Sequence, residues 1–172
     1  RRIVTLVCEE SVPFNFMRDG DVVGIAADII REAFSRSGYT VVFRQYPWAR
    51  ALHLSKSGMA DGIFCLYRTA EREEQFLFSD QIGSDTQAFF VRRDSDISFS
   101  GDYRKIAGKS IGVINGYSYG ARFDAAVKDG TLQRVEAVTS QEANIKKLLF
   151  GRIDMLVEGE YLAYYLLGKM GK

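Results

Sequence analysis

The stretch from Asp61 to Asp80, DGIFCLYRTAEREEQFLFSD, sets an arginine where chemistry is possible. A strand-like apolar run, Gly62 to Leu66, opens into a charged segment in which Thr69 is placed to cap a helix and Arg72 lies one turn in. In a parallel α/β sheet, ligands bind beyond the carboxyl ends of the strands, where helix N-termini present backbone N–H groups. A guanidinium at such a point can take a carboxylate through two parallel hydrogen bonds. The pattern recurs in VINGYSYG, where a strand ends at Gly116 and Ser118 is predicted to cap a helix, so its hydroxyl and the nearby amides suit the same anion. The alternative for Arg72 is a solvated first-turn side chain pairing with Glu73, Glu74 or Asp80.

Catalytic readings find little support. The single histidine, His53, falls within the predicted helix WARALHLSK and reads as a partly exposed structural residue. No G-x-S-x-G, phosphate-loop or H-E-x-x-H motif occurs, and GVINGYSYG lacks the spacing of a dinucleotide loop. The carboxylates of EREE read as solvated helix charge, and nothing assembles a nucleophile with a base. Cys8 and Cys65 are too far apart in sequence, with one histidine, to suggest a metal site. They are predicted to be buried free thiols, with a disulfide as the alternative. No cofactor is expected.

The elements that must position Arg72 and Ser118 follow from the hydrophobic pattern. With 172 residues, 47% hydrophobic and 26% charged, the chain can bury a core as one domain or two small lobes. A net charge of +1 with both signs scattered gives no footprint for nucleic acid or an anionic membrane, so a small ligand is expected. No apolar run approaches the roughly 20 residues of a membrane helix. The start, RRIVTLVCEE, reads as a first strand, so any export signal has been removed or never existed.

Strand and helix patterns alternate through the first half: Ile3 to Cys8, a helix over Gly24 to Ser37, the strand YTVVFRQY, a helix from Trp48 to Lys56 after Pro47, the strand at Phe64, and TQAFFVRRD. On the first helix, Ile25, Ile29, Ala33 and Phe34 are predicted to face inward. The polar stretch DSDISFSGDYRKIAG marks a boundary, giving lobe one as residues 1–92 and lobe two as 93–172. A second series follows: strand KSIGVI, helix YGARFDAAVKD, strand LQRVEAV, helix QEANIKKLLF with Ile145, Leu148 and Leu149 inward, strand IDMLVE, and the amphipathic helix EYLAYYLLGKM. Two α/β lobes of mostly parallel sheet flanked by helices place a ligand cleft between them.

The ordered set PFNFMRDGDVVGIAADIIREAF, PWARALHLSKSGMADGIF and RTAEREEQFLFSD resembles the extracellular solute-binding proteins of family 3, from about Val4 to Leu167. The resemblance implies the two-lobe type II periplasmic binding protein fold, hinge closure on a polar amino acid or related zwitterion or carboxylate, periplasmic residence, and the permease of an ABC importer as partner. It puts the carboxylate-binding arginine on Arg72 and the contacts before it on Leu66, Tyr67 and Arg68. The second-lobe anion contact falls on Ser118 and Tyr119. The acid that receives the ligand ammonium would lie at Gly159, so Glu158 or Glu160 must substitute. Phe14, Phe16 and Trp48 are the aromatic candidates for the pocket wall, with core packing as their alternative, and Glu10 is a candidate for a polar or cationic ligand end; Arg50 reads as helix-surface charge. Cys65, Tyr67 and Arg68 stand where many members carry small hydroxyl residues, which implies a differently sized or more charged pocket.

Family members cross back from lobe two and add a strand and helix to lobe one, whereas this sequence ends at Lys172; an open sheet edge is expected to favour dimerisation or strand exchange. Two other roles share the fold. One is the sensor module of membrane kinases and cyclases. The other is a cyclohexadienyl dehydratase-like enzyme, for which Glu10, Glu158 and His53 are the candidate acid or base residues.

Overall fold

The structure, a computed structural model, describes residues 2–172. The chain divides into two compact units, Arg1–Ser84 and Asp85–Lys172.

In the first unit, β1 (Arg2–Cys8) lies between β4 (Tyr39–Gln45) and the two-residue β5 (Gly62–Ile63), all parallel. A hairpin of β2 (Phe16–Arg18) and β3 (Asp21–Val23) precedes α1 (Ile25–Arg36). Its turn is Asp19-Gly20, both at positive φ, the combination a tight two-residue loop requires. Helix α2 (Trp48–Lys56) starts after Pro47, and α3 (Ala70–Glu73) is a single turn capped by Thr69. Leu6, Cys8, Val22, Ala26, Ala27, Ile30, Phe43 and Phe64 form the main core, with Val7, Ala51 and Ala60 on the other side.

The second unit is a four-stranded sheet in the order β6-β9-β7-β8, from β6 (Gln87–Val91), β7 (Ile111–Ile114), β8 (Val135–Val138) and β9 (Met155–Gly159). Strands β7, β8 and β9 are parallel, and β6 runs antiparallel to β9. Helices α4 (Ala121–Lys128), α5 (Gln141–Leu149) and α6 (Glu160–Lys169) connect or follow them, and a 3-10 turn spans Tyr103–Ile106. One core cluster gathers Ile106, Ile111, Val113, Phe123, Leu132, Met155 and Val157, and a second gathers Ile145, Leu148, Ile153 and Leu156.

Several expectations need correction. Strand β5 stops at Ile63 instead of Leu66, because Cys65 takes a positive φ of 57° and turns the chain out of the sheet. Of the two thiols only Cys8 is buried; both are free. Helix α1 buries Ala26, Ala27 and Ile30, and leaves Ile25 and Ile29 exposed at 53% and 42%. The small alanines let the helix approach the sheet closely, so the face that packs is rotated by one residue from the bulkiest stripe. Leu149 is likewise 36% exposed, while Ile145 and Leu148 are buried. Strand β6, assigned by sequence to lobe one, pairs along its whole length with β9 and so belongs with the second unit.

Candidate functional site

In the first unit the parallel register aligns the strand ends. Cys8 stands beside Gln45 and Val7 beside Ile63, so the segments leaving β1, β4 and β5 emerge from one edge. Those segments carry Glu10, Trp48 and the run from Phe64 to Arg72. The Thr69 hydroxyl accepts a hydrogen bond from the Arg72 N–H at 3.2 Å, fixing where the helix starts and therefore where the arginine projects. Arg72 Nη1 donates to the Tyr67 carbonyl at 2.8 Å, and its guanidinium carbon lies 5.1 Å from the centroid of the Trp48 ring. Trp48 is buried, and only 8% of Arg72 is exposed. That burial excludes the solvated alternative; Glu73 instead pairs with Arg68.

The other first-unit candidates divide by environment. Tyr67 and Arg68 are exposed, Leu66 is half-buried, and Arg68 lies 5.8 Å from the Phe78 ring centroid. Glu10 is exposed and accepts a long hydrogen bond from Gln45 Nε2 at 3.4 Å. Phe14 and Phe16 are half-buried, and Phe14 packs against the main core cluster. Arg50 is exposed over the Tyr46 ring, and His53 is exposed on α2. Burial pushes the Cys8 thiol up to about 12, with Cys65 adding and a hydrogen bond from Asn15 opposing.

In the second unit the register carries β7 and β9 to the same edge, so the β7 exit at Asn115 and the β9 exit at Gly159 lie side by side. Ser118 does not cap α4; Gly120 occupies the cap position, with no side-chain cap bond. Instead Ser118 Oγ donates to Asp124 Oδ2, and Asp124 Oδ1 accepts from the Tyr119 N–H at 3.0 Å. An acidic residue inside the first turn thus reaches back, and Ser118 is buried against it. The Tyr119 ring belongs to the core, and its hydroxyl accepts from the Ile114 N–H at 2.8 Å. Tyr119 therefore braces the strand end.

Glu158 is 3% exposed, and its Oε1 accepts from the Gly159 N–H at 3.0 Å. Glu160 is exposed at the start of α6. A residue not singled out in the sequence joins them: Asp85 Oδ2 lies 2.3 Å from where a Cβ on Gly159 would sit. Burial raises the Asp85 carboxyl above its ordinary value; the Thr86 N–H opposes this, Glu160 adds to it, and the Tyr161 N–H opposes it. Its position in the sequence, in a loop before an edge strand, carries no motif. Only the antiparallel pairing of Gln87 with Gly159 brings it here.

Among the described residues no group of three or more histidine, cysteine or carboxylate side chains is arranged to hold a metal ion, and no helix is long and apolar enough to cross a membrane. The geometry offers a buried guanidinium in one unit and a set of carboxylates with hydroxyls in the other. A model of the bacterial extracellular solute-binding proteins, family 3, matches residues 3–147. This chain belongs to that family. No curated protein matches it in sequence. Among solved structures it is similar to an ancestral arginine-binding protein bound to arginine, with a TM-score of 0.81 at 24% identity over 98% of this chain and 75% of that one. ArtJ of Geobacillus stearothermophilus, an arginine-, lysine-, histidine-binding protein, gives 0.79 at 22% identity over 98% and 71%. A histidine kinase sensor domain with similarity to periplasmic binding proteins gives 0.80 at 20% over 98% and 72%. These likenesses establish the α/β type II periplasmic binding protein fold for this family 3 chain.

Proposed function

We propose that this chain binds a small polar amino acid, or a related zwitterion or carboxylate, and serves as the substrate-binding component of an ABC importer in the periplasm. Recognition occurs without turnover. The observation that carries this reading is Arg72: a buried guanidinium at the edge where three parallel strands end, oriented by the Tyr67 carbonyl and the Trp48 face. A planar fork held in this way is preorganised for a carboxylate, and little side-chain entropy remains to be lost on binding. Tyr67, Arg68, Leu66, Phe14, Phe16, Glu10 and Trp48 are the proposed first-unit contributors. Ser118, Tyr119, Glu158 and Glu160 are those of the second unit, with Tyr119 acting through the backbone it braces. Hinge closure on the ligand, and docking of the liganded form on a permease, complete the proposal.

The test is a thermal-shift screen of protein stripped of carried-over ligand by partial unfolding, against the L-amino acids and small carboxylates. A rise of several degrees with one chemical class, lost in Arg72→Ala, supports the reading. No rise with any of them in folded protein overturns it. The sensor reading rests on the likeness to a histidine kinase sensor domain. Ligand-dependent stimulation of a reconstituted permease ATPase favours the importer role, and its absence with ligand bound favours the sensor.

A further inference from the structure

The pleat of β6 and β9 sends a row of side chains to one face of the second sheet. Phe89 pairs with Val157 and Val91 with Met155 in the antiparallel register, so these four share a face, while Phe90 and Leu156 turn to the other and pack with α5 and α6. The first face is covered by α4 and by the stretch that leads from β6 to the 3-10 turn, DSDISFSGD, which forms neither strand nor helix. In that polar stretch only Ile97 and Phe99 are apolar, and both pack onto the sheet-face core.

The cover is incomplete. It leaves a cavity of about 350 Å³, lined entirely by residues of the second unit. Well-packed interiors have few voids larger than a water molecule, and a concavity of this size falls in the range of small-molecule sites. Four rings close a circuit along it: Phe89 to Phe99 at 4.8 Å between centroids, Phe99 to Tyr103 at 5.1 Å, Tyr103 to Phe123 at 6.1 Å, and Phe123 back to Phe89 at 6.1 Å. The Phe89–Phe99 and Tyr103–Phe123 contacts are edge-to-face, an arrangement that a further ring can extend. Phe89, Phe99 and Tyr103 are only half-buried, so an occupant of the cavity removes aromatic surface from water.

The lining also sets the charge of what it can hold. No charged side chain is among the described residues that line the cavity. Burial raises the Tyr103 phenol above its ordinary value, with Arg122 opposing and Asp124 adding, so it stays neutral as well. An ion or zwitterion would lose hydration here without gaining a counter-charge, whereas a neutral ring exchanges water for ring contacts, and the flexible Met155 side chain adapts to its outline. We propose that this cavity of the second unit binds a small neutral aromatic molecule of one or two rings, a phenol or an indole, against Phe89, Phe99, Tyr103 and Phe123. The inference goes beyond the solute-binding reading and stands whether or not that reading holds.

The experiment is a titration of the isotope-labelled chain with indole and with phenol, followed through its backbone amide NMR signals, with cyclohexanol as the non-aromatic comparison. Wild type is set beside Val91→Phe and Ile97→Trp, which fill the cavity from β6 and from the stretch that covers it, with circular dichroism confirming that each is folded. The expected result is saturable shifts in wild type, concentrated in β6, α4 and residues 96–103, with phenol bound more tightly than cyclohexanol. Affinity for indole is expected to fall at least about tenfold in each filled variant, because the added side chain takes the place of the ligand. A folding failure in one variant leaves the other to report, and the position of the wild-type shifts decides independently of both. No saturable shift with indole or phenol in wild type overturns the proposal. So do shifts confined to residues 1–84, unchanged affinity in the folded variants, or cyclohexanol bound as tightly as phenol.

Discussion

The Arg72 guanidinium lies over the Trp48 ring at 5.1 Å, tying the first residue of α2 to the short capped helix that follows β5. The two residues are separated by a full strand and loop in sequence, and the Tyr67 carbonyl holds the arginine from a third direction. Arg72 and Trp48 are thus packed as one unit, and their substitutions should not behave independently.

Replacing Arg72 with alanine is expected to weaken binding of a responsive carboxylate ligand by at least about 30-fold, the cost of leaving a desolvated carboxylate without its partner. Lysine should recover only part of this, since it keeps the charge and loses the fork. Calorimetric titration distinguishes the three proteins.

Trp48→Leu keeps an apolar side chain in the core and removes the ring face. A double-mutant cycle with Arg72→Ala, read by ligand affinity, should give a coupling of about 0.5–2 kcal/mol. A coupling near zero would mean that the stacking does not orient the arginine.

Asp85 gives a prediction in the absence of ligand. Its carboxyl is raised above the ordinary value chiefly by burial, so the folded state holds the proton more tightly than the unfolded state. Its contribution to stability is therefore greatest below the ordinary carboxylate range and declines as pH rises through the raised value. Asp85→Asn is expected to raise the melting temperature of the ligand-free protein at neutral pH and to have less effect at low pH. A gain at neutral pH that shrinks on acidification is the signature of a carboxylate held unfavourably in the folded state.

The Ser110–Asp154 pair behaves in the opposite sense. Asp154 Oδ2 accepts from both the Ser110 N–H and its Oγ–H at 2.7 Å, and the backbone bond first, then the side-chain bond, holds its carboxyl below the ordinary value. Its stabilisation is fully present above the ordinary carboxylate value and is lost as pH falls through the depressed one. Asp154→Ala is expected to cost about 1–3 kcal/mol at neutral pH in a denaturant titration, and less under acid conditions.

Gly112 and Asn144 make a steric test of α5 packing. A Cβ on Gly112 would lie 2.3 Å from Asn144 Oδ1 and 2.5 Å from an Ile153 methyl, and both Asn144 polar atoms are buried without a hydrogen bond. Gly112→Ala is expected to destabilise by about 1–3 kcal/mol through overpacking. Adding Asn144→Ala should recover part of the loss, measured as a non-additive change in urea midpoint.

What the sequence determined by itself was local or ordered along the chain. Thr69 before a charged turn, Pro47 before Trp48, and alternating strand and helix periods each act through neighbours within a few residues. So did the family, legible because its motifs run in series from Phe14 to Asp80. The Asp19-Gly20 hairpin is local in the same way, since an Asp-Gly pair suits the two positive φ angles of its turn. The tertiary structure decided what depends on pairing between distant segments. It turned α1 onto its alanines, moved β6 to the second unit by pairing it with β9, and engaged Ser118 with Asp124 in place of a helix cap. It also brought Asp85 to Gly159 across an antiparallel ladder. A residue's periodicity states which way it can face, whereas strand register decides what it meets there, and register is a property of two segments at once.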